Sequence, residues 1–308
     1  MMRRISRNQP GKALENGLNL KENMSDYFSI PALSKSQLKD WDIRNPKRFW
    51  NKCTFNPFRK ETELNEAMAQ GQLIHAYLFE SSKVKDMFDV RDDLGLKRSN
   101  KKWAEAQGAT KKTIITTEEN NHAVRMVEAL LKHGQVRDLL LHAKAEAPYM
   151  WQDEEWGIDC KMKTDAETNS EEGIYCIDLK TTGKDFPEYI DNGNYQYEIG
   201  MYSRGLKHKY GKALKKFIYI FQSTKEDDED NIRIKVVEGA QLEACEIDTD
   251  RTVKELIPFI KATQELTKGG ANKEQIENIW LPSLTAESFE VSPWYDRKLA
   301  ERVHKEII

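Results

Sequence analysis

Before Ala145 the apolar positions fall at helical intervals. Around Ser34 to Trp41 they predict a capped helix, in which Ser34 or Ser36 accepts bonds from the first free N–H groups and Leu38 and Trp41 face inward. NPKRFWNK follows, and a second helix is expected from about Glu63 to Glu80, with Met68, Gly71, His75 and Leu78 on one face. His75 then points inward, where a satisfied core histidine competes with a ligand as its explanation. Gly71, one turn earlier, lets that helix approach another element closely. A third helix, roughly Glu118 to His133, sets Val124, Val127, Leu130 and Leu131 in one apolar stripe. From Ala145 to Thr181 the pattern changes to short alternating segments, broken at Asp153-Glu154-Glu155 and at Thr168 to Gly173, which predicts three consecutive strands joined by tight turns. A helix from about Tyr195 to Lys209, a strand Phe217 to Gln222, an acidic turn Lys225 to Asp230, a strand Ile232 to Val237 and a helix near Asp250 to Lys268 follow. This order implies a mixed α/β (α+β) fold, a central mixed sheet with helices packed against it and a helical N-terminal region.

The chain of 308 residues can bury a sizeable core, and no repeat or proline-rich linker divides it. The expected organisation is a flexible arm over 1–26, one domain over 27–270, and a tail over 271–308 packed on that domain. Lys and Arg number 48 against 51 Asp and Glu, a net charge of -3, so any nucleic-acid contact has to be local. No stretch approaches the ~20 apolar residues of a membrane span. The basic start lacks the apolar run of a secretory signal, which makes a cytoplasmic protein the expectation. Cys53, Cys160, Cys176 and Cys245 are too scattered for a disulfide framework or a CxxC zinc site and are expected to be reduced thiols.

The strand Gly173 to Thr182 carries the candidate chemistry. With a period of two, Tyr175, Ile177 and Leu179 share one face while Cys176, Asp178 and Lys180 share the other. Antiparallel pairing with the preceding strand brings Asp165 towards Asp178. Close carboxylates repel each other unless a cation neutralises them, and magnesium or manganese takes hard oxygen ligands. Such a metal could polarise a phosphoryl oxygen and acidify a bound water, with Lys180 orienting that water or offsetting developing negative charge. A D-x-K triplet alone occurs often by chance and is more commonly an ordinary surface salt bridge on a hairpin.

Taken together and in order, SIPALSKSQLK, NPKRFW, GQLIHAYLFE, EAPYMWQDEEWGIDCKMKTDA and IDLKTT resemble the exonuclease VIII-type members of the PD-(D/E)XK nuclease superfamily, relatives of the RecB nuclease domain. The resemblance runs from about Tyr27 to Tyr202, and SPWY near Trp294 resembles the closing segment. It implies a PD-(D/E)XK fold in which His75, Asp165, Asp178 and the Leu179 carbonyl hold Mg²⁺, or Mn²⁺ in its place. It also implies that Glu146 acts nearby through water or a second ion, that Lys180 serves the nucleophilic water, and that Gln196, Tyr202 and Thr181 bind DNA or support the site. The family's next helix carries glutamine and tyrosine four residues apart. Here Gln196 and Tyr202 are six apart, and Glu198 stands where the glutamine would sit.

No iron–sulfur cluster is expected, since Cys160 and Cys176 lie inside the core strands and only Cys245 lies beyond them. The implied activity is Mg²⁺-dependent exonucleolytic hydrolysis of linear double-stranded DNA from its ends, in phage or prophage recombination. A homo-oligomeric ring and a single-strand annealing partner go with it by analogy. The alternatives are a non-catalytic DNA-binding or assembly module on the same fold, and an endonuclease of the same superfamily. Candidate DNA contacts are Lys47-Arg48-Phe49-Trp50, the Lys97 to Lys112 segment with Trp103, and Lys207 to Lys212 with Lys215-Lys216.

Overall fold

The computed structural model describes residues 24–60, 65–94, 101–225 and 227–281. Lys97, Arg98, Glu226, the segment around Trp294 and most of the expected arm and tail lie outside the described residues. The described chain begins with α1 (Met24–Ser29), which spans the boundary expected at residue 26. There follow α2 (Lys35–Leu38), α3 (Pro46–Trp50), α4 (Glu66–Phe79) and α5 (Val84–Met87). A small parallel pair, β1 (Phe88–Val90) and β2 (Thr113–Ile115), brackets α6 (Lys101–Ala109), and α7 (Thr117–Lys132) and α8 (Gly134–Leu140) come next.

Five strands make the main sheet: β3 (Lys144–Asp153), β4 (Ile158–Ser170), β5 (Gly173–Thr182), β6 (Leu214–Ser223) and β7 (Ile232–Glu238), in that order across it. All neighbours are antiparallel except β5 and β6. A parallel pair needs a long crossover, and α9 (Tyr195–Tyr210) lies within it. The chain closes with α10 (Ala240–Lys268) and α11 (Lys273–Ile279).

Capping chemistry sets several boundaries. Thr116 and Glu119 form a reciprocal capping box that starts α7, and the Asn65 side chain accepts from the Met68 N–H to start α4. Gly239, at φ +58°, turns the chain from β7 straight into α10, which therefore begins ten residues before the helix expected near Asp250. The apolar stripe of α7 is also rotated from expectation. Ala123, Met126, Ala129 and Leu130 are buried, while Leu131 is 46% exposed.

The sheet separates two cores. On one side α9 and α10 cover Cys160, Met162, Cys176, Phe217 and Tyr219, and Trp50, Phe49 and Trp280 stack alongside. On the other side α4 and α7 cover Ile177, Leu179, Ile218 and Ile220. Burial on both faces is why β5 and β6 read as nearly continuous apolar runs. The charged residues in the middle of β5 therefore need partners.

Candidate active site

β5 is the central strand. Cys176 packs towards α9 and Ile177 and Leu179 towards α4 and α7, so Asp178 and Lys180 share the α9 side with Cys176. Asp178 is fully buried and pairs across the parallel ladder with Tyr219. From above, α9 presents Glu198, also fully buried. The fourth member comes from far away in sequence, Lys35 of α2. Lys35 Nζ stands 3.1 Å from Asp178 Oδ1 and pairs also with Glu198. Lys180 Nζ pairs with Asp178 Oδ2 and stands 3.0 Å from Glu198. Two carboxylates and two ammonium groups thus alternate in a closed ring. The Tyr219 hydroxyl donates to Glu198 at 3.3 Å, and the Lys35 ammonium lies 4.6 Å from the centre of the Tyr202 ring. Burial opposes ionisation of Asp178, but Lys180 and Lys35 outweigh it and hold the carboxyl well below the usual range. Burial also pulls Lys35 below the ordinary lysine value, with Asp178 acting against that shift.

A second flank forms around Leu179. The β4–β5 ladder reaches Ala166 opposite Ile177, and Asp165 is the first residue beyond it. Its Oδ2 accepts from the Leu179 N–H at 2.9 Å. On β4, Cys160 and Met162 pack into one core and Ala166 into the other, although all three have the same parity. The strand therefore turns its faces over just where Asp165 sits. From α4, His75 Nε2 donates to the Leu179 carbonyl at 3.1 Å, and Nδ1 stands 3.5 Å from Asp165 Oδ2. Thr181 faces the same helix, its Oγ1 3.4 Å from where a Cβ on Gly71 would be.

Three of the four expected metal donors therefore meet at the backbone of one residue, with Asp165 on the Leu179 N–H and His75 on the Leu179 carbonyl, and Asp178 precedes it in the strand. Among the described residues no three His, Cys, Asp or Glu side chains stand close enough to hold a metal ion. The backbone carbonyl matters for that reason. It now accepts a hydrogen bond from His75 Nε2 at 3.1 Å, which a cation taking both groups as ligands would have to replace. The donors, carboxylate and carbonyl oxygens with one imidazole, suit a hard divalent cation, provided an ammonium yields its place on Asp178.

Other expectations fare differently. The side chain of Glu146, on β3, lies outside the described residues. Tyr202 is buried and its hydroxyl donates to the Lys163 carbonyl at 2.5 Å, which ties α9 to β4 beside Asp165. Gln196 does not join the cluster: Glu198 makes the contact with Lys180, four residues before Tyr202 and one helical turn away. Phe49, Trp50 and Trp103 are core residues and cannot stack on bases. Arg48 pairs with Asp40, Lys209 with Glu167 and Lys216 with Glu238. All four cysteines are buried free thiols. In the sequence Lys35 carries no signal beyond its place in a helix start, and Tyr219 none beyond its place in a strand. The parity of β6 placed Tyr219 on one of two faces, but which face met Asp178 depended on register.

A family model described as a PDDEXK-like domain of unknown function (DUF3799) matches residues 34–278. No curated protein matches the chain. Among solved structures, a candidate exonuclease from Eubacterium rectale superposes with a TM-score of 0.54 at 12% identity, covering 90% of this chain and 96% of that one. At that identity the likeness is one of fold. SSO0001, also 12% identical, gives a TM-score of 0.33 over 80% of this chain and 88% of its own. Among the described residues no helix is long and apolar enough to cross a membrane.

Proposed function

Because this chain belongs to the PDDEXK-like family matched over residues 34–278, we propose that it is a nuclease, and in particular a Mg²⁺- or Mn²⁺-dependent exonuclease degrading linear double-stranded DNA from its ends in phage or prophage recombination. The observation that carries this reading is the juxtaposition on β5: Asp178 and Lys180 on one face, with Asp165 and His75 bonded to the backbone N–H and carbonyl of Leu179 between them. His75, Asp165, Asp178 and the Leu179 carbonyl are the groups that would hold the cation. A cation bound there supplies Lewis-acid polarisation of a phosphoryl oxygen and a water of lowered pKa.

The protein's own contribution is orientation. Lys180 is anchored by Asp178 and Glu198, yet 23% of its side chain remains exposed. Its ammonium can direct an attacking water and offset charge that develops on the phosphate. Tyr219 and Tyr202 keep the carboxylate side of the ring dry and fixed. The description of the Eubacterium rectale neighbour as a candidate exonuclease agrees with end-directed cleavage.

The test is cleavage of end-labelled linear duplex and of closed circular DNA by the purified protein with Mg²⁺ or Mn²⁺. Wild type is expected to degrade the linear duplex and spare the circle, and Asp178→Asn and Lys180→Met to abolish cleavage while remaining folded. Cutting of closed circles indicates an endonuclease instead. Full activity in Asp178→Asn would remove the β5 site from consideration.

A further inference from the structure

The chemistry proposed above has no use for Lys35, yet its ammonium occupies the carboxylate that a cation needs. Nζ is 3.1 Å from Asp178 Oδ1 and pairs also with Glu198, while Lys180 engages Oδ2 of the same carboxylate. Both oxygens of Asp178 are therefore taken up by lysines. Lys35 itself is only 24% exposed and rests over the Tyr202 ring.

We propose that Lys35 is a positioning residue that competes with the divalent cation for Asp178, so that cation binding shifts the ammonium from Asp178 Oδ1 onto Glu198 alone. The inference rests on the metal-dependent reading above. A cation bonded to Oδ1 at about 2 Å would stand within roughly 5 Å of an ammonium held on the same oxygen, and a dication and a monocation repel strongly at that separation among buried groups. One of them must leave, and Lys35 has somewhere to go. Its four-carbon stem lets the ammonium move while the backbone stays in place. That backbone is pinned, since the Leu33 N–H donates to the Asp159 carbonyl and the Lys161 N–H to the Leu33 carbonyl, each at 2.8 Å. Glu198 then has a stated purpose. It is the second anchor for the displaced ammonium, which a neutral glutamine at that position would hold less firmly.

The experiment is Mn²⁺ titration calorimetry, without DNA, on the full chain and on Lys35→Met, Lys35→Gln, Lys35→Arg and Asp178→Asn, each first shown to be folded by circular dichroism. Glutamine keeps hydrogen bonds to both carboxylates without the charge, so it serves if the methionine variant does not fold. Lys35→Met and Lys35→Gln are expected to bind Mn²⁺ about ten-fold more tightly than wild type, and Lys35→Arg no more tightly. Asp178→Asn should lose binding. A merely structural lysine would lower affinity on removal. Wild type that binds Mn²⁺ while folded Lys35→Gln binds it equally or more weakly overturns the competition and leaves the metal site standing. No binding in either overturns both.

Discussion

Replacing Glu198 with glutamine perturbs the charge ring with almost no change of volume. Glu198 is fully buried, meets Lys180 at 3.0 Å and the Tyr219 hydroxyl at 3.3 Å, and pairs with Lys35. At ~3 Å and an effective dielectric of about 20, each such pair attracts by roughly 5 kcal/mol, against a desolvation cost of several kcal/mol for each buried ion. Both lysines keep Asp178 as a partner and about a quarter of their side chains in solvent, so neither is stranded. The expected loss is therefore near the lower end of that for breaking a buried pair, about 3 kcal/mol. In a domain of this size that lowers Tm by roughly 6–12 °C. Urea unfolding followed by tryptophan fluorescence gives the free energy, and a double-mutant cycle with Lys35→Met gives the coupling. That coupling should be ~1–3 kcal/mol, because removing Lys35 already deletes one of the pairs Glu198 makes. Strict additivity, or a Glu198→Gln protein as stable as wild type, would refute the ring.

Gly200 sits where α9 crosses α10, and an alanine Cβ there would meet the Thr249 side chain and lie 2.8 Å from the Cys245 carbonyl oxygen. Rotation of Thr249 cannot relieve the backbone contact. Gly200→Ala should thus lose ~1–2 kcal/mol in urea unfolding, overpacking outweighing the ~1 kcal/mol gained in helix propensity. Arg204 donates to both oxygens of buried Asp153 and lies over the Trp156 ring, so Arg204→Ala should cost about 2 kcal/mol by the same assay. Lys161 donates from a buried position to the Tyr27, Phe28 and Ile30 carbonyls, and burial, aided by the Arg59 charge, brings its pKa down to about 8. Between that value and the ordinary lysine value of 10.5 the unfolded chain binds the extra proton, so stability should rise with pH across this window relative to Lys161→Met. Parallel pH dependence in the two proteins would contradict that assignment.

How much of the site was legible varies by residue. Asp178 and Lys180 follow from alternation on one strand, because side chains two apart must share a face. Asp165 follows less directly: a tight turn limits the register, but the turnover of β4 between Met162 and Ala166 has no mark in the residues. His75 was visible as a polar residue on an inward helical face, though its carbonyl partner on Leu179 was not. The departure at Glu198 was readable only against the pattern of the resembled family, and its consequence needed Lys35, which lies more than 140 residues from Asp178.

By itself, then, the amino-acid order determined the local periodicities: helices before Ala145, a three-strand meander through Thr181, and the acid and lysine side by side on β5. It determined these because helix and strand repeats are properties of short segments. Tertiary structure decided which charges meet. Pairing β5 in parallel with β6 set Tyr219 beside Asp178, docking α9 brought Glu198 over both, and the anchoring of Leu33 on β4 delivered Lys35 to the same carboxylate. Buried charges are tolerated only in company, and the company here is assembled from elements distant in sequence.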